Sequence, residues 1–219
     1  MHSEFSDVGQ VASWLGAMQG QDYAGTKWAF GLRLRGHRDS SIEQALDSGQ
    51  VLRTWALRGT LHYVAPEDIH WLVALIGPRI IAGNARRYRE LELDEPTLTR
   101  STALIAETLQ DGQQRTRTEL LAVLEAHQIS TEGQRGVYML QRAGLERLIY
   151  QGPVIRNVTT FRALSPGKAL PKDEALSRLA LRYFLSHGPA PLTDFASWAD
   201  IPITDARAGL AAVKSALIE

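Results

Sequence analysis

The chain has 219 residues, 44% hydrophobic and 22% charged, with 24 basic residues balancing 24 acidic ones. That composition is ordinary for a globular protein of one large domain or two to three small ones. No apolar run approaches the roughly 18 residues that span a bilayer, and MHSEFSDVGQ has no basic-then-apolar leader, so a cytoplasmic protein is expected. Zero cysteines exclude disulfides and thiolate metal sites.

In chain order, "DVGQVASWLGAM" (7–18) opens on Asp7 as a cap and carries Val8, Val11, Leu15 and Met18 at helical spacing. The next segment, "QGQD" (19–22), reads as an irregular polar stretch between helices. A second helix is predicted from Tyr23 to about Leu34; Asp22 is either its N-cap or, as the carboxylate beside the two glutamines, a further site candidate. "SSIEQALDSG" (40–49) predicts a third, capped by Ser40 or Ser41 and stopped by Gly49. "VLRTWALRGTLHYVA" (51–65) is rich in Val, Thr, Trp and Tyr and breaks at Arg58-Gly59, which predicts a β-hairpin. Three short helices followed by a hairpin is the winged-helix pattern, so residues 1–65 are expected to form one such module.

Pro66 opens a helix expected to end near Gly77-Pro78. A further helix, about 78–91, carries Arg79, Arg86, Arg87 and Arg89. Residues 66–98 are therefore expected to connect modules, with a boundary in the acidic "ELDEPTL" (92–98). The pattern then repeats over 99–165. Helices are predicted in "TRSTALIAETLQDG", in "TRTELLAVLEAHQ" from a Thr116 or Thr118 cap, and from Ser130 or Thr131 onward. A hairpin is predicted over 149–164, around Gly152-Pro153 and Arg156-Asn157. A linker with two prolines (165–172) leads to "DEALSRLALRYFLSHG", whose Leu176, Leu179, Ala180, Tyr183 and Phe184 fall at i, i+3, i+4, i+7 and i+8. Two helices starting near Thr193-Asp194 and Thr204-Asp205 follow. The expected fold is thus mainly α with short β-hairpins: tandem winged helix-turn-helix modules, the third (166–219) incomplete.

Charge is uneven despite its zero sum, which by itself argues against a uniformly basic nucleic-acid binder. Of the 24 basic residues 20 are Arg, whose planar fork suits phosphate. Residues 131–165 hold Arg135, Arg142, Arg147, Arg156 and Arg162 against only Glu132 and Glu146. That segment is the third helix and wing of the second module, the parts that meet the DNA groove and backbone in this fold. Arg58, Arg86, Arg87, Arg135, Arg142 and Arg156 are the candidate DNA contacts; a solvated helix face is the plainer account of the same clusters. Trp14, Trp28, Trp55 and Trp198 are expected in the cores. No His, Asp and Glu group has metal spacing, and no Gly-rich phosphate loop or nucleophile–base pair stands out, so no metal and no cofactor is expected.

"LGAMQGQDYAGTKWAFGLR", "TWALRGTLHYVAPEDIHWL" and "HGPAPLTDFASWADIPITDAR", in that order, resemble the bacterial winged-helix DNA glycosylases of the AlkZ/YcaQ family, which unhook interstrand crosslinks. The resemblance covers nearly the whole chain and implies three tandem winged helices followed by a further β-rich region, which this chain is expected to lack. It implies a catalytic Gln-x-Gln at Gln19-Gly20-Gln21, with Gly20 where the family usually has an aliphatic residue, a change expected to loosen the backbone. It also matches the family's Thr-Leu-His at Thr60-Leu61-His62. The implied activity is hydrolysis of the N-glycosidic bond of alkylated purines in double-stranded DNA, by a monomer.

Two glutamines meet an unusual chemical requirement. Most glycosidases use a pair of carboxylates, and an amide does not titrate. A purine alkylated at N3 or N7, however, is already cationic and leaves as a neutral base, so no acid is needed. What remains is to hold a water beneath the anomeric carbon and to face an oxocarbenium-like charge, which amide oxygens can do. From spacing alone, Gln19 and Gln21 could equally cap a helix or face solvent. Strand alternation puts Thr60 and His62 on one face of the hairpin and Leu61 and Tyr63 on the other, leaving His62 as a site residue or a structural one. Two other readings stay open: a non-catalytic DNA-binding protein or transcriptional regulator, which needs only the basic helix and wing, and a protein-interaction scaffold.

Overall fold

The computed structural model describes residues 5–36, 38–156 and 158–217; Asn157 of the expected second hairpin turn lies outside them. The chain is mainly helical with short antiparallel strands. It divides into two compact units, Met1–Ile76 with Lys168–Glu219, and Gly77–Gly167. The segments expected as first and third modules therefore share one unit.

In the first unit, α1 (Val8–Leu15) starts where the Asp7 carboxylate accepts the Gln10 N–H at 2.9 Å. It turns off at Gly16, whose φ of +76° suits a residue without Cβ. A strand absent from the sequence reading follows at once: β1 (Met18–Gln19), too short to show any alternation. α2 (Tyr23–Gly31) is capped by Asp22, which accepts the N–H groups of Ala24 and Gly25. α3 (Asp39–Asp47) precedes the hairpin of β2 (Leu52–Trp55) and β3 (Leu61–Val64). The sheet runs β1–β3–β2, antiparallel throughout. Its inner face closes a core of Val11, Phe30, Ile42, Leu46, Val51 and Tyr63, in which the Phe30 and Tyr63 rings meet edge to face at 6.0 Å. Trp55 is buried, but Trp14 and Trp28 are not: Trp28 is 72% exposed, on the side of α2 away from Phe30.

The expected break at Pro78 does not occur. α4 (Ile69–Gly83) runs through it, because Ile76 and Ile80 on either side are buried and packing offsets one missing backbone bond. Ahead of α4 lies Asp68, 0% exposed, whose carboxylate accepts the Trp71 indole N–H at 2.8 Å and pairs with Arg182. Arg182 belongs to α9 (Lys172–His187), which with α10 (Leu192–Ala199) and α11 (Ile203–Val213) completes the first unit. The Tyr183 ring of α9 lies tilted against those of both Phe195 and Trp198, its centroid 5.1 Å from each.

The second unit contains α5 (Ala85–Glu90), α6 (Glu95–Thr108), β4 (Arg115–Thr116), α7 (Arg117–Ala126), α8 (Arg135–Leu145), β5 (Ile149–Ile155) and β6 (Val158–Ala163). Thr116 caps α7 reciprocally with Glu119, as the Thr-x-x-Glu spacing requires. Register shifts between Gln151 and Val154, so Gly152-Pro153 forms a bulge in β5. Both units run helix, strand, helix, helix, strand, strand (α1 to β3, α6 to β6), and in each the sheet order is first, third, second strand.

Gly209 on α11 shows how closely the helices of the first unit approach. A Cβ there would stand 2.8 Å from the Leu176 carbonyl oxygen on α9, a backbone atom that cannot swing aside. Gly209→Ala should therefore lower unfolding stability by about 1–3 kcal/mol, measured by urea titration.

Candidate active site

The three residues matched to the family motifs meet at the junction of β1 and β3. Gln19 stands opposite His62 in register, and Met18 opposite Tyr63. Directly opposite residues of antiparallel strands share a face, so Gln19 and His62 point the same way, and Thr54 of β2, also opposite His62, joins them. The other face carries Met18, Tyr63 and Arg53 toward the core.

Gly20 is the pivot of the segment. Its N–H donates to the Leu61 carbonyl at 2.7 Å, as the next rung of the ladder would. Its own carbonyl does not return the bond. It turns instead to the buried guanidinium of Arg53, which donates from Nε at 2.9 Å and Nη2 at 2.6 Å. The Leu61 N–H left over is taken by the side chain of Gln21, whose Oε1 accepts it at 3.3 Å. Gly20 is thus bonded through both of its peptide groups, and the loosening expected from a glycine is not found. The reason for glycine is space: a Cβ at this position would lie 2.8 Å from Cδ2 and 3.0 Å from Cε2 of the Tyr63 ring. Arg53 also lies over that ring, 5.9 Å from its centroid.

Gln19 and Gln21 are both exposed. Among the described residues the Gln19 side chain makes no hydrogen bond, leaving its whole amide for a ligand. Gln21 retains its NH2 group and a second lone pair on Oε1. Asp22 is taken up as the α2 cap. Thr26 Oγ1 donates to the Asp22 carbonyl at 2.6 Å and lies 3.2 Å from that of Gln19, tying the motif to α2.

His62 is 2% exposed. Its Nδ1 lies 3.0 Å from the Thr60 carbonyl; a carbonyl only accepts, so Nδ1 carries the proton and the neutral ring keeps Nε2 as an acceptor. Burial, opposed by the bond to Thr60 and aided by the nearby Arg58 charge, pushes the imidazole down to about 4. The ring is neutral at pH 7. The sequence missed Arg53, Tyr63 and Thr54. A charged residue inside the apolar run of β2 was the one signal that something buried awaited it.

The arginines divide into two groups. Arg58 sits at the tip of the first hairpin, in the three-residue loop Leu57–Gly59 that the Ala56 N–H closes onto the Thr60 carbonyl at 3.0 Å, with φ +57°, followed by Gly59 at +70°. Its Nη1 donates to the Trp198 carbonyl. Arg156, at the end of β5 with φ +49°, is exposed. Arg86 has an 87% exposed side chain and pairs with Glu90, as does Arg87, which also reaches Gln134. Arg135 and Arg142 serve the second unit itself. Arg135 donates to the Ser130, Leu91 and Glu92 carbonyls. Arg142 is buried between Glu95, at 2.5 Å, and Glu146, at 2.5 Å. Among the described residues no cluster of three or more His, Asp or Glu could hold a metal ion, and no helix is long and apolar enough to cross a membrane.

The model of the family "DNA glycosylase AlkZ-like" matches residues 12–219. Among solved structures, the DNA glycosylase AlkZ of Streptomyces sahachiroi superposes with a TM-score of 0.81 at 20% sequence identity, over 99% of this chain and 62% of that one. This chain thus spans about 62% of that protein's length. No curated protein matches in sequence.

The depressed His62 has a consequence for stability. Its folded value lies below the unfolded one, so the unfolded chain binds the extra proton first as pH falls. The favourable contribution is whole above about 6.5 and is lost as pH falls from about 6.5 to about 4. Wild type should lose about 3 kcal/mol more than His62→Gln across that window, read from denaturant titrations at each pH. Parallel profiles would show that the ring is not held neutral by burial.

Proposed function

The chain belongs to the AlkZ-like DNA glycosylase family, and on that premise we propose that it hydrolyses the N-glycosidic bond of cationic alkylpurines in duplex DNA, crosslinked ones included. The observation that carries this reading is the segment Gln19–Gln21. Its backbone is pinned at Gly20 from both sides, and two exposed amides project from it beside a neutral histidine.

In this mechanism the Gln19 oxygen and the amide of Gln21 orient one water beneath C1′ of the lesion. The bond from C1′ to the purine nitrogen breaks with its electron pair going to the base, which departs neutral. Water adds to C1′, and the resulting oxonium adduct is acidic enough to release its proton to solvent without a strong base. Negative ends of the amide dipoles face the positive charge as it develops on the sugar, which is where fixed dipoles contribute most. His62, 2% exposed behind Gln19, offers Nε2 as an acceptor for a buried water rather than for the reacting one. With Nδ1–H already on Thr60 it has no donor for a phosphate, so its role is toward water.

Binding is assigned to tandem winged helices. The repeated order of elements and of strands in the two units supports that reading. So do the two hairpin tips. Arg58 and Arg156 adopt left-handed conformations that cost a side-chain-bearing residue about 1 kcal/mol and that Asn or Gly would adopt more cheaply. Arginine at both tips is therefore there for its side chain; Arg58 gives one guanidinium nitrogen to the Trp198 carbonyl but stays exposed, and we assign both tips to the DNA backbone or minor groove, with Arg86 and Arg87 as further phosphate contacts. Arg135 and Arg142, bonded inside their own unit, are left out of the interface. Their loss from the face of α8 also weakens the reading as a sequence-specific regulator, which would read bases from that helix.

The test is release of base from DNA carrying N7-methylguanine. Gln19→Ala should lower kcat by roughly 100-fold with little change in stability. Gln21→Ala should do the same and also cost about 0.5–1 kcal/mol of stability, because the Leu61 N–H loses its partner. Equal release by wild type and the double variant would remove both glutamines from the mechanism; no release by wild type would remove the glycosylase reading. For the hairpin tip, Arg58→Asn keeps a residue that tolerates the turn. It should weaken duplex binding and reduce the slope of log K against log salt by about one. An unchanged slope takes Arg58 out of the interface.

A further inference from the structure

Behind the exposed glutamines, the face that carries Gln19 and His62 continues inward to Thr54. The three residues form one row across three neighbouring strands, β1, β3 and β2, in register. Exposure falls along it: Gln19 is open to solvent, His62 is 2% exposed, and Thr54 is 0% exposed. The Thr54 hydroxyl has no hydrogen-bond partner among the described residues. A hydroxyl left unpaired at that depth costs about 1–3 kcal/mol, whereas valine has nearly the same shape and no such cost. Packing alone would therefore favour valine. On the same face stands an unprotonated imidazole nitrogen, and Cβ atoms of directly opposite strand residues lie about 5 Å apart. That separation is too long for many direct side-chain bonds and suits a single bridging water, which needs two or more polar partners.

We propose that Thr54 is a positioning residue of this site: its hydroxyl, through one buried water, engages Nε2 of His62 and holds the imidazole in the orientation that serves Gln19. The water has two partners in the row, the Thr54 hydroxyl and His62 Nε2. It donates one proton to Nε2 and accepts from Thr54 Oγ1–H, so every polar atom of the inner row is satisfied. With Nδ1–H on the Thr60 carbonyl and Nε2 on this water, both ring nitrogens are fixed and the ring cannot flip. The inference rests on the reading that His62 contributes to glycosidic hydrolysis, but the contact itself does not.

The test uses the whole chain with Thr54→Val, which removes only the hydroxyl, and Thr54→Ser, which retains it. Two readouts are taken: the ¹⁵N resonances of the His62 ring, and kcat with KM for release of N7-methylguanine. In Thr54→Val the Nε2 resonance should move while Nδ1 stays, and kcat should fall about tenfold, the value of one net hydrogen bond, at unchanged KM. Thr54→Ser should restore both. An unmoved Nε2 resonance in folded Thr54→Val would overturn the contact. A moved resonance with full activity would overturn the positioning role. A moved resonance in a protein whose wild type releases no base would leave the contact standing and reject the glycosylase reading instead.

Discussion

The candidate site depends on one carbonyl pointing the wrong way. In a regular antiparallel ladder Gly20 and Leu61 would exchange both hydrogen bonds. Here the Gly20 oxygen leaves the ladder for the Arg53 guanidinium, and everything nearby follows from that rotation. The strand stops after two residues. The vacant Leu61 N–H draws in the Gln21 side chain. The next residue, Asp22, is free to begin α2. A buried guanidinium must find acceptors or lose heavily, so the arrangement holds itself in place: Arg53 needs the carbonyl as much as the carbonyl needs Arg53. The Tyr63 ring, lying against Gly20 and beneath Arg53, closes off any alternative path for the chain.

That arrangement changes the meaning of the glycine between the two glutamines. Glycine inside a functional motif suggests looseness, and looseness would be a poor basis for aligning a water. The structure gives the opposite result, because the missing side chain admits an aromatic ring and brings the backbone into a tight set of bonds. Rigidity matters more here than in a carboxylate pair. Amides supply no proton and little charge, so their value lies in orientation fixed before reaction.

Much of the architecture was legible beforehand because it rests on local rules. The Asp7, Asp22 and Thr116 caps, the Arg58-Gly59 turn and the amphipathic stripe of α9 each follow from a few neighbouring residues. What misled was local as well. Pro78 signals a helix end, yet buried Ile76 and Ile80 carry α4 through it. Trp28 looked like core and is exposed, since α2 turns Phe30 inward instead. The bonds of Arg135 and Arg142 to Leu91, Glu92 and Glu95, more than 40 residues earlier, could not be read from their charge.

By itself the sequence determined most of the helices, the two hairpins, the repeat of pattern and the position of two glutamines after the first helix. Capping, turn chemistry and hydrophobic period act over a few residues and can be read in a line. The tertiary structure alone decided what those glutamines stand on. Arg53 and Gly20 are 33 residues apart, Arg182 and Asp68 are 114 apart, and the His62 pKa falls to about 4 only when the fold removes its water. Burial and long-range pairing depend on which surfaces meet, and no short stretch of residues contains that information.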